Sequence, residues 1–282
     1  MNYEICPITL TTDAISRYAT FLGKVFHKPV LFTKAYLDWQ YRQNPDGDTL
    51  GFDAFTPEGQ LAAHYVVQPL QALVQGKLTK GLLSYNTATH PQHTGKGLFT
   101  RLAQATYKRA QALGYEFIVG VSNQQSTPGF IKKLGFQWVA PLTVKVGMGK
   151  ITFPENAEYE YQRYWTPEAL TWRFNHPQKH YSLKKQSQGF DIFTCPKPGI
   201  AVTLAHFPED VLPFTHAKPQ FYGAKMWMGI DAQIDWRKGL FINLPNRFKP
   251  SPLNLIFKDL TQVGRILDRT KIRFNALDFD AF

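Results

Sequence analysis

The sequence predicts an α/β protein whose basic unit is built twice, and three observations carry that expectation. An apolar run, Leu82 to Ala88, leads into Thr89-His90-Pro91-Gln92-His93-Thr94-Gly95-Lys96-Gly97-Leu98-Phe99, and an amphipathic segment, Leu98 to Leu113, leads out: strand, glycine-punctuated turn, helix. Two helical segments and a meander of strands come before it. Finally, Gly51-Phe52-Asp53-Ala54-Phe55-Thr56 is echoed by Gly189-Phe190-Asp191-Ile192-Phe193-Thr194.

In chain order, residues 3–10 read as a short strand. Asp13 to Val25 carries Ile15, Tyr18, Ala19, Phe21 and Leu22 on one helical face, with Thr11 or Thr12 as N-cap. Thr33 caps a second helix reaching Arg42, and Asn44-Pro45-Asp46-Gly47 ends it as a turn. Leu50 to Thr56 and Leu61 to Val67 flank the hairpin turn Pro57-Glu58-Gly59, and the strand before the glycine turn follows. Gly114 stops the helix that starts at Leu98, Phe117 to Val121 is a buried strand, and Pro128 opens a short helix closed by Gly135.

The echo organises the rest. Leu37-Asp38-Trp39 with Pro45 is matched by Leu170-Thr171-Trp172 with Pro177, each on a helix ended by a proline turn. Pro196-Lys197-Pro198-Gly199 answers the first hairpin turn, and Ile200 to Ala205 the returning strand. Leu240 to Leu244 and Leu253 to Phe257 read as later strands, Leu260 to Leu267 as a helix, and Ile272 to Phe279 as a last strand. The division expected is residues 1–150 and 151–282.

With 282 residues, 44% hydrophobic and 15% aromatic, the chain can bury a sizeable core, which argues against disorder. Its two cysteines, Cys6 and Cys195, lie far apart in no metal-ligand spacing, so neither a disulfide framework nor a metal is expected. Met1-Asn2-Tyr3-Glu4 has no basic region followed by an apolar run, and no stretch is long enough to span a bilayer. A cytoplasmic protein without membrane insertion is expected. The net charge of +11 favours anionic partners, but the basic residues are scattered and no nucleic-acid-binding signature occurs.

The turn has a chemical meaning. Glycines two apart let the backbone approach a ligand closely, and the helix opening behind them has unpaired N–H groups and a dipole that favour an anion such as a phosphate. Gln92-x-x-Gly95-x-Gly97 resembles the acyl-CoA pyrophosphate loop of the GNAT (GCN5-related) N-acetyltransferase superfamily. A second motif agrees: Asn123 at a strand end, followed by a short helix ending in Lys133-Leu134-Gly135-Phe136. The resemblance implies a GNAT fold, a mixed, mostly antiparallel central sheet flanked by helices. It further implies two tandem GNAT-like domains: the first binds acyl-CoA, and the second, degenerate and without the glycine motif, contributes to the acceptor site.

It also implies a site. Thr87, Ala88, Thr89, Gln92, His93, Thr94, Gly95, Lys96, Gly97, Leu98 and Phe99, with Asn123, Ser126 and Phe130, are the residues expected to hold acyl-CoA. The family splays its fourth strand, here Tyr85 to Thr89, to expose a donor to the thioester carbonyl. Two usual proton carriers are missing: the fourth strand has no Glu, and Ile131 stands where many members have Tyr. The substitutes are His64, either a general base facing the acceptor cleft or a hydrogen-bonded core histidine, and Asn86 and Asn123, which can orient a water or an amide. Tyr85 is either an acid or a packing aromatic, and His90 has a structural or cofactor-edge role.

Over residues 31–136 the chain is similar to a narrower group, bacterial two-copy N-acyltransferases acting on nucleotide-linked deoxyamino sugars. The carriers are Leu37-x-Trp39-x-Tyr41 with Asn44-Pro45, His64-Tyr65, Asn86-Thr87, Pro91-x-x-x-Gly95-Lys96-Gly97-Leu98-Phe99 and Ser126-Thr127-Pro128-Gly129-Phe130. That likeness implies a dTDP- or UDP-amino sugar as acceptor, with Trp165, Trp172, Tyr222, Trp227 and Trp236 either stacking on it or filling the core. The alternatives are an acetyltransferase for an amino acid, peptide or antibiotic amine, and a non-catalytic acyl-CoA-binding module.

Overall fold

Thr11 starts the first helix: its hydroxyl accepts the Ala14 N–H at 3.3 Å, and α1, Thr12–Val25, buries Ile15, Tyr18, Phe21 and Leu22. Thr33 does the same for α2, Lys34–Arg42. A Ser/Thr oxygen at this position satisfies one of the N–H groups a helix start leaves unpaired, so both starts are fixed locally. The computed structural model describes residues 2–154, 157–186, 189–208, 223–245 and 251–281; Tyr222 lies outside them.

The strands join into one 15-stranded network. β1, Glu4–Pro7, pairs antiparallel with β2, Leu50–Phe55, which pairs with β3, Leu61–Val74. β3 continues past the expected Val67 and turns at Gln75-Gly76, both with positive φ, into β4, Lys77–Thr89. Pro69 lies within the strand, and its carbonyl accepts from Asn44 Nδ2 at 2.8 Å. After β4 come α3, Leu98–Ala112; β5, Phe117–Asn123; α4, Thr127–Leu134; β6, Gln137–Pro141; and β7, Thr143–Gly149.

The second half contributes β8, Tyr161–Tyr164; α5, Pro167–Phe174; β9, Ser182–Lys185; β10, Phe190–Lys197; β11, Ile200–Phe207; β12, Ala224–Ile230; β13, Gly239–Asn243; β14, Leu253–Asp259; and β15, Ile272–Asn275. Two expectations fail here. Residues 260–267 are no helix: Asp259 Oδ2 accepts the Gly264 and Arg265 N–H groups at 2.9 and 3.0 Å and folds the segment into a loop around its carboxylate. The last strand ends at Asn275, and Ala276–Phe279 is a 3-10 turn in which Asp278 Oδ2 accepts the Asn275 N–H.

The halves exchange a strand. β14 lies antiparallel between β5 and β6, and β7 lies antiparallel between β12 and β13. In the first half β4 runs parallel to β5 over Gly81–Ser84; in the second, β11 runs parallel to β12 over Ile200–Thr203. By order and direction β11 thus stands where β4 does, and β10 where β3 does. The hexapeptide echo pairs β10 with β2 instead, one strand out of step with the topology. It still has a common cause: a Cβ at Gly51 or Gly189 would fall 2.2 or 2.0 Å from a facing strand's carbonyl oxygen, Tyr65 O or Phe207 O.

The helix echo is in step. Trp39 of α2 and Trp172 of α5 stack at 4.4 Å with 10° between their planes. Each indole N–H donates to the other's backbone carbonyl, Trp39 Nε1 to Trp172 O at 3.0 Å and Trp172 Nε1 to Trp39 O at 3.1 Å. Thr166 caps α5 as Thr33 caps α2. Of the tryptophans considered as ligand stackers, Trp165, Trp172 and Trp227 are buried in the core, and Trp236 packs on Trp227.

Candidate active site

Beyond the pair Ser84–Gly120, β4 and β5 part. A bulge lies there: His64 faces Ala88 but Val66 faces Tyr85, and Asn86 takes the left-handed φ of 46°. Such a bulge bends the strand and re-aims its side chains. The gap is a cleft of about 410 Å³, with Asn86, Thr87 and Thr89 on the β4 side, Asn123 and Ser126 opposite, and Phe99 and Phe130 among its apolar lining. Thr87 Oγ1 is buried there without a hydrogen-bond partner among the described residues. Ala88, expected among the acyl-CoA contacts, is 5% exposed, packs with the α1–α2 core and is not among the residues that line the cleft.

In the second half the corresponding gap is filled. Past Trp227, β12 pairs through Gly229 and Ile230 with Asn275 and Phe274 of β15, and Leu277 packs into the core with Leu204 and Ala205.

The glycine turn stands at the cleft's end. Its first part is occupied with itself: Gln92 N–H donates to His90 Nδ1 at 3.4 Å, His93 N–H to His90 O at 2.8 Å, and Thr94 N–H to Pro91 O at 3.4 Å. Burial and the charges of Lys24 and His93 press the His90 pKa down, which suits an accepting Nδ1. The His93 ring is turned to Tyr3, whose hydroxyl lies 2.9 Å from Nδ1. The resemblance implies a cradle from Gln92 onward; the N–H groups of Gln92, His93 and Thr94 are used within the turn itself. Gly95 and Gly97 have φ of 74° and 72°, a Cβ on either would meet open space, and Gly97 caps α3 with no side-chain bond to the helix start. Leu98 is buried, and Phe99 meets Phe130 edge-on at 5.1 Å.

Of the candidate polar residues, Tyr85, Asn86 and Asn123 line the cleft, and His64 is not among its lining residues. Asn123 Oδ1 accepts the N–H groups of Gln125 and Ser126 at 3.0 and 2.9 Å and the Ser126 hydroxyl at 3.1 Å, so it organises the turn into α4. Tyr85 is half-buried, its hydroxyl 2.7 Å from Thr49 Oγ1, and desolvation of that hydroxyl raises its pKa. His64 is fully buried, with Nδ1 2.6 Å from Asp53 Oδ1 and Nε2 3.0 Å from the Tyr41 hydroxyl. Both ring nitrogens are occupied, which realises the hydrogen-bonded core histidine. Asn86 lines the cleft with its amide nitrogen tied to α2: Nδ2 donates to Gln40 Oε1 at 2.8 Å and to Tyr41 Oη at 3.2 Å.

From Gln40 the bonds continue into the second half. Gln40 Nε2 donates to Tyr36 Oη at 3.1 Å, and Tyr36 donates to Asp280 Oδ2 at 3.1 Å. Arg173 Nη1 and Lys179 Nζ lie 3.0 and 2.8 Å from Asp280 Oδ1. Burial alone would raise the Asp280 pKa, but Arg173, His176 and Lys179 hold it well below the usual carboxylate range. Sequence reasoning missed Gln40, Tyr41, Tyr36 and Asp280 as parts of the site. The only signal was the Leu37-x-Trp39-x-Tyr41 pattern, which placed Tyr41 in a motif without a role.

Comparison with known proteins agrees with this geometry. The family described as Acetyltransferase (GNAT) domain matches residues 7–139. No curated protein matches the sequence. Among solved structures, a GCN5-related N-acetyltransferase from Anabaena variabilis superposes with a TM-score of 0.62 at 12% identity, over 92% of this chain and 73% of that one. A probable N-acyltransferase of unknown function from Enterococcus faecalis gives 0.58 at 9% identity over 92% and 73%. N-myristoyltransferase from Saccharomyces cerevisiae, with bound myristoyl-CoA, gives 0.55 at 10% identity over 90% and 82%. Residues 7–139 thus match the GNAT acetyltransferase domain, and the chain has the α/β GNAT fold.

Proposed function

We propose that the protein transfers an acyl group from acyl-CoA to the primary amine of a dTDP- or UDP-linked deoxyamino sugar by direct attack. The observation that carries the acyl-CoA part is the splay of β4 from β5 beyond Ser84, with the unpaired helix start of α3 at its end. A pyrophosphate fits the N–H groups of Gly95 through Phe99, and the pantetheine arm fits the gap, where its amides can pair with β4 backbone and with the unpartnered Thr87 hydroxyl. Attack by an amine then needs only alignment and a donor for the carbonyl oxygen.

The acceptor is argued from the narrower sequence likeness and from charge. A protein of net charge +11 suits two polyphosphate substrates. We read residues 1–150 as the acyl-CoA-binding copy and 151–282 as a degenerate copy supporting the acceptor side; the second copy's filled cleft and its contribution of Arg173 and Asp280 behind Asn86 support that reading. We take the protein as cytoplasmic; among the described residues no helix is long and apolar enough to cross a membrane.

The test is incubation with acetyl-CoA and longer acyl-CoAs against a panel of dTDP- and UDP-amino sugars, amino acids, peptides and aminoglycosides, following free thiol. Thiol release with a nucleotide amino sugar is expected. Release only with another amine overturns the acceptor assignment, and no release with any amine overturns the enzymatic reading.

A further inference from the structure

Asn86 sits at the bulge with a left-handed backbone, lines the cleft, and has its side chain bonded inward on both sides. The orientation of its amide follows from the chain behind it. Asp53 Oδ2 accepts the Tyr18 hydroxyl at 2.7 Å and Oδ1 is 2.6 Å from His64 Nδ1, so the ring proton belongs on Nδ1. The bare Nε2 then accepts the Tyr41 hydroxyl proton at 3.0 Å. With that proton committed, the Tyr41 oxygen can only accept, and it accepts from Asn86 Nδ2 at 3.2 Å. The second Nδ2 hydrogen goes to Gln40 Oε1 at 2.8 Å, whose own Nε2 is fixed by Tyr36. Both amide hydrogens are used, and Oδ1 is left for the cleft. Buried chains of this kind hold one arrangement because every alternative strands a polar group.

We infer that Asn86 Oδ1 accepts a hydrogen bond from the attacking amine, and that Gln40, Tyr41, His64 and Asp53 are positioning residues that fix this oxygen toward the acylated thiol. The inference rests on the acyl-transfer reading. It accounts for a site without the usual Glu and Tyr: the oxygen aligns the nitrogen lone pair on the thioester carbonyl. In the step, the new N–C bond forms as the C–S bond breaks. The amine nitrogen loses one proton, to solvent, and the leaving thiolate gains one from solvent. None of the buried groups changes its protonation. A left-handed residue at a cleft bulge is the sort of strain retained where it aims a functional group.

The experiment is a double-mutant cycle. Asn86→Gly keeps the left-handed backbone and removes the amide; Tyr41→Phe removes one anchor and Gln40→Leu the other. Each protein is assayed with the amine that wild type uses, for kcat, KM and CoA affinity, alongside thermal unfolding. Asn86→Gly should lower kcat by about 10- to 100-fold, the range for one hydrogen bond to a group developing charge. Tyr41→Phe and Gln40→Leu should each lower kcat by about 5-fold with CoA affinity held. Either anchor change made on top of Asn86→Gly should cost less than about 2-fold further, because the anchors act only through the amide. An anchor loss that persists in full without the amide overturns the assignment, as does unchanged kcat in Asn86→Gly. If one anchor variant does not fold, the other closes the cycle. Wild type releasing no thiol with any amine overturns the acyl-transfer reading and this assignment with it, an outcome distinct from an active wild type with an additive cycle.

Discussion

Gly95→Val separates the two demands the glycine turn makes. In the protein alone a Cβ at Gly95 meets no atom within 4 Å, so the substitution makes no clash and costs only backbone strain. At a φ of 74° that strain is about 1–2 kcal/mol, toward the upper end for a β-branched side chain. A matched control exists in the β3–β4 turn: Gly76 has φ 77° and equally open surroundings, but lies far along the hairpin from the glycine turn. Both valine variants should therefore lose similar stability, a few °C in Tm for a chain of this size. Their CoA affinities should part. A pyrophosphate on the Gly95–Phe99 N–H groups makes charge-assisted bonds of about 1.5–3 kcal/mol each, and an isopropyl group in the approach path removes at least two. The Kd of Gly95→Val should rise at least about 100-fold, since each 1.4 kcal/mol is tenfold. Calorimetric titration with CoA, beside thermal unfolding of both variants, is the assay. Equal CoA affinities in Gly95→Val and Gly76→Val would refute the phosphate cradle, and a Gly95→Val protein that fails to fold while Gly76→Val folds would refute the strain argument.

Other outcomes follow from the packing and the buried charges. Trp172→Ala removes a stacked indole and the Nε1–H that donates to the buried Trp39 carbonyl, and should cost about 3–5 kcal/mol, read as a lower denaturant midpoint at unchanged m-value. Asp280→Asn leaves Arg173 and Lys179 buried without their carboxylate and should cost about 3–5 kcal/mol by the same measurement. Because the folded pKa of Asp280 lies below the unfolded one, its contribution is complete above about pH 4 and is lost as pH falls further; wild type should lose more stability from pH 5 to 3 than Asp280→Asn does. Gly51→Ala should fail to accumulate as folded protein, since its Cβ would fall 2.2 Å from the Tyr65 carbonyl oxygen, whereas Gly59→Ala, in open space at a φ of 79°, should fold with a loss of about 1–2 kcal/mol.

What was legible in the sequence is what one stretch of chain decides for itself. Thr11, Thr33 and Thr166 cap helices by bonding an N–H three residues on, and Gly95 and Gly97 are required by their own φ. These are local conditions, so residue type and spacing disclose them. Partners from far along the chain are not disclosed. The strand expected over Leu61 to Val67 falls short of Val74 because nothing nearby announces β8, which pairs with Gln71–Val74 and holds the extended strand. Val263 and Ile266 gave residues 260–267 a helical look, yet both are exposed and Asp259 takes the N–H groups a helix would have used.

The strand exchange and the site share this reason. Periodicity can say that residues 253–259 form a strand, but not that they lie between β5 and β6 of the other half. The same holds at Asn86. A sequence search for proton carriers weighs His64 as a base because imidazole chemistry suits the task, and it cannot see Asp53 and Tyr41 closing on both ring nitrogens. Tyr41 reads as bulk on an apolar helix face, though its hydroxyl is the atom that passes the His64–Asp53 order on to the cleft. Asp280, near the far end of the described chain, reaches the same amide through Tyr36 and Gln40. Both halves therefore fix one side chain at the bulge: the first through Asp53, His64 and Tyr41, the second through Asp280 and, by way of Tyr36, Gln40.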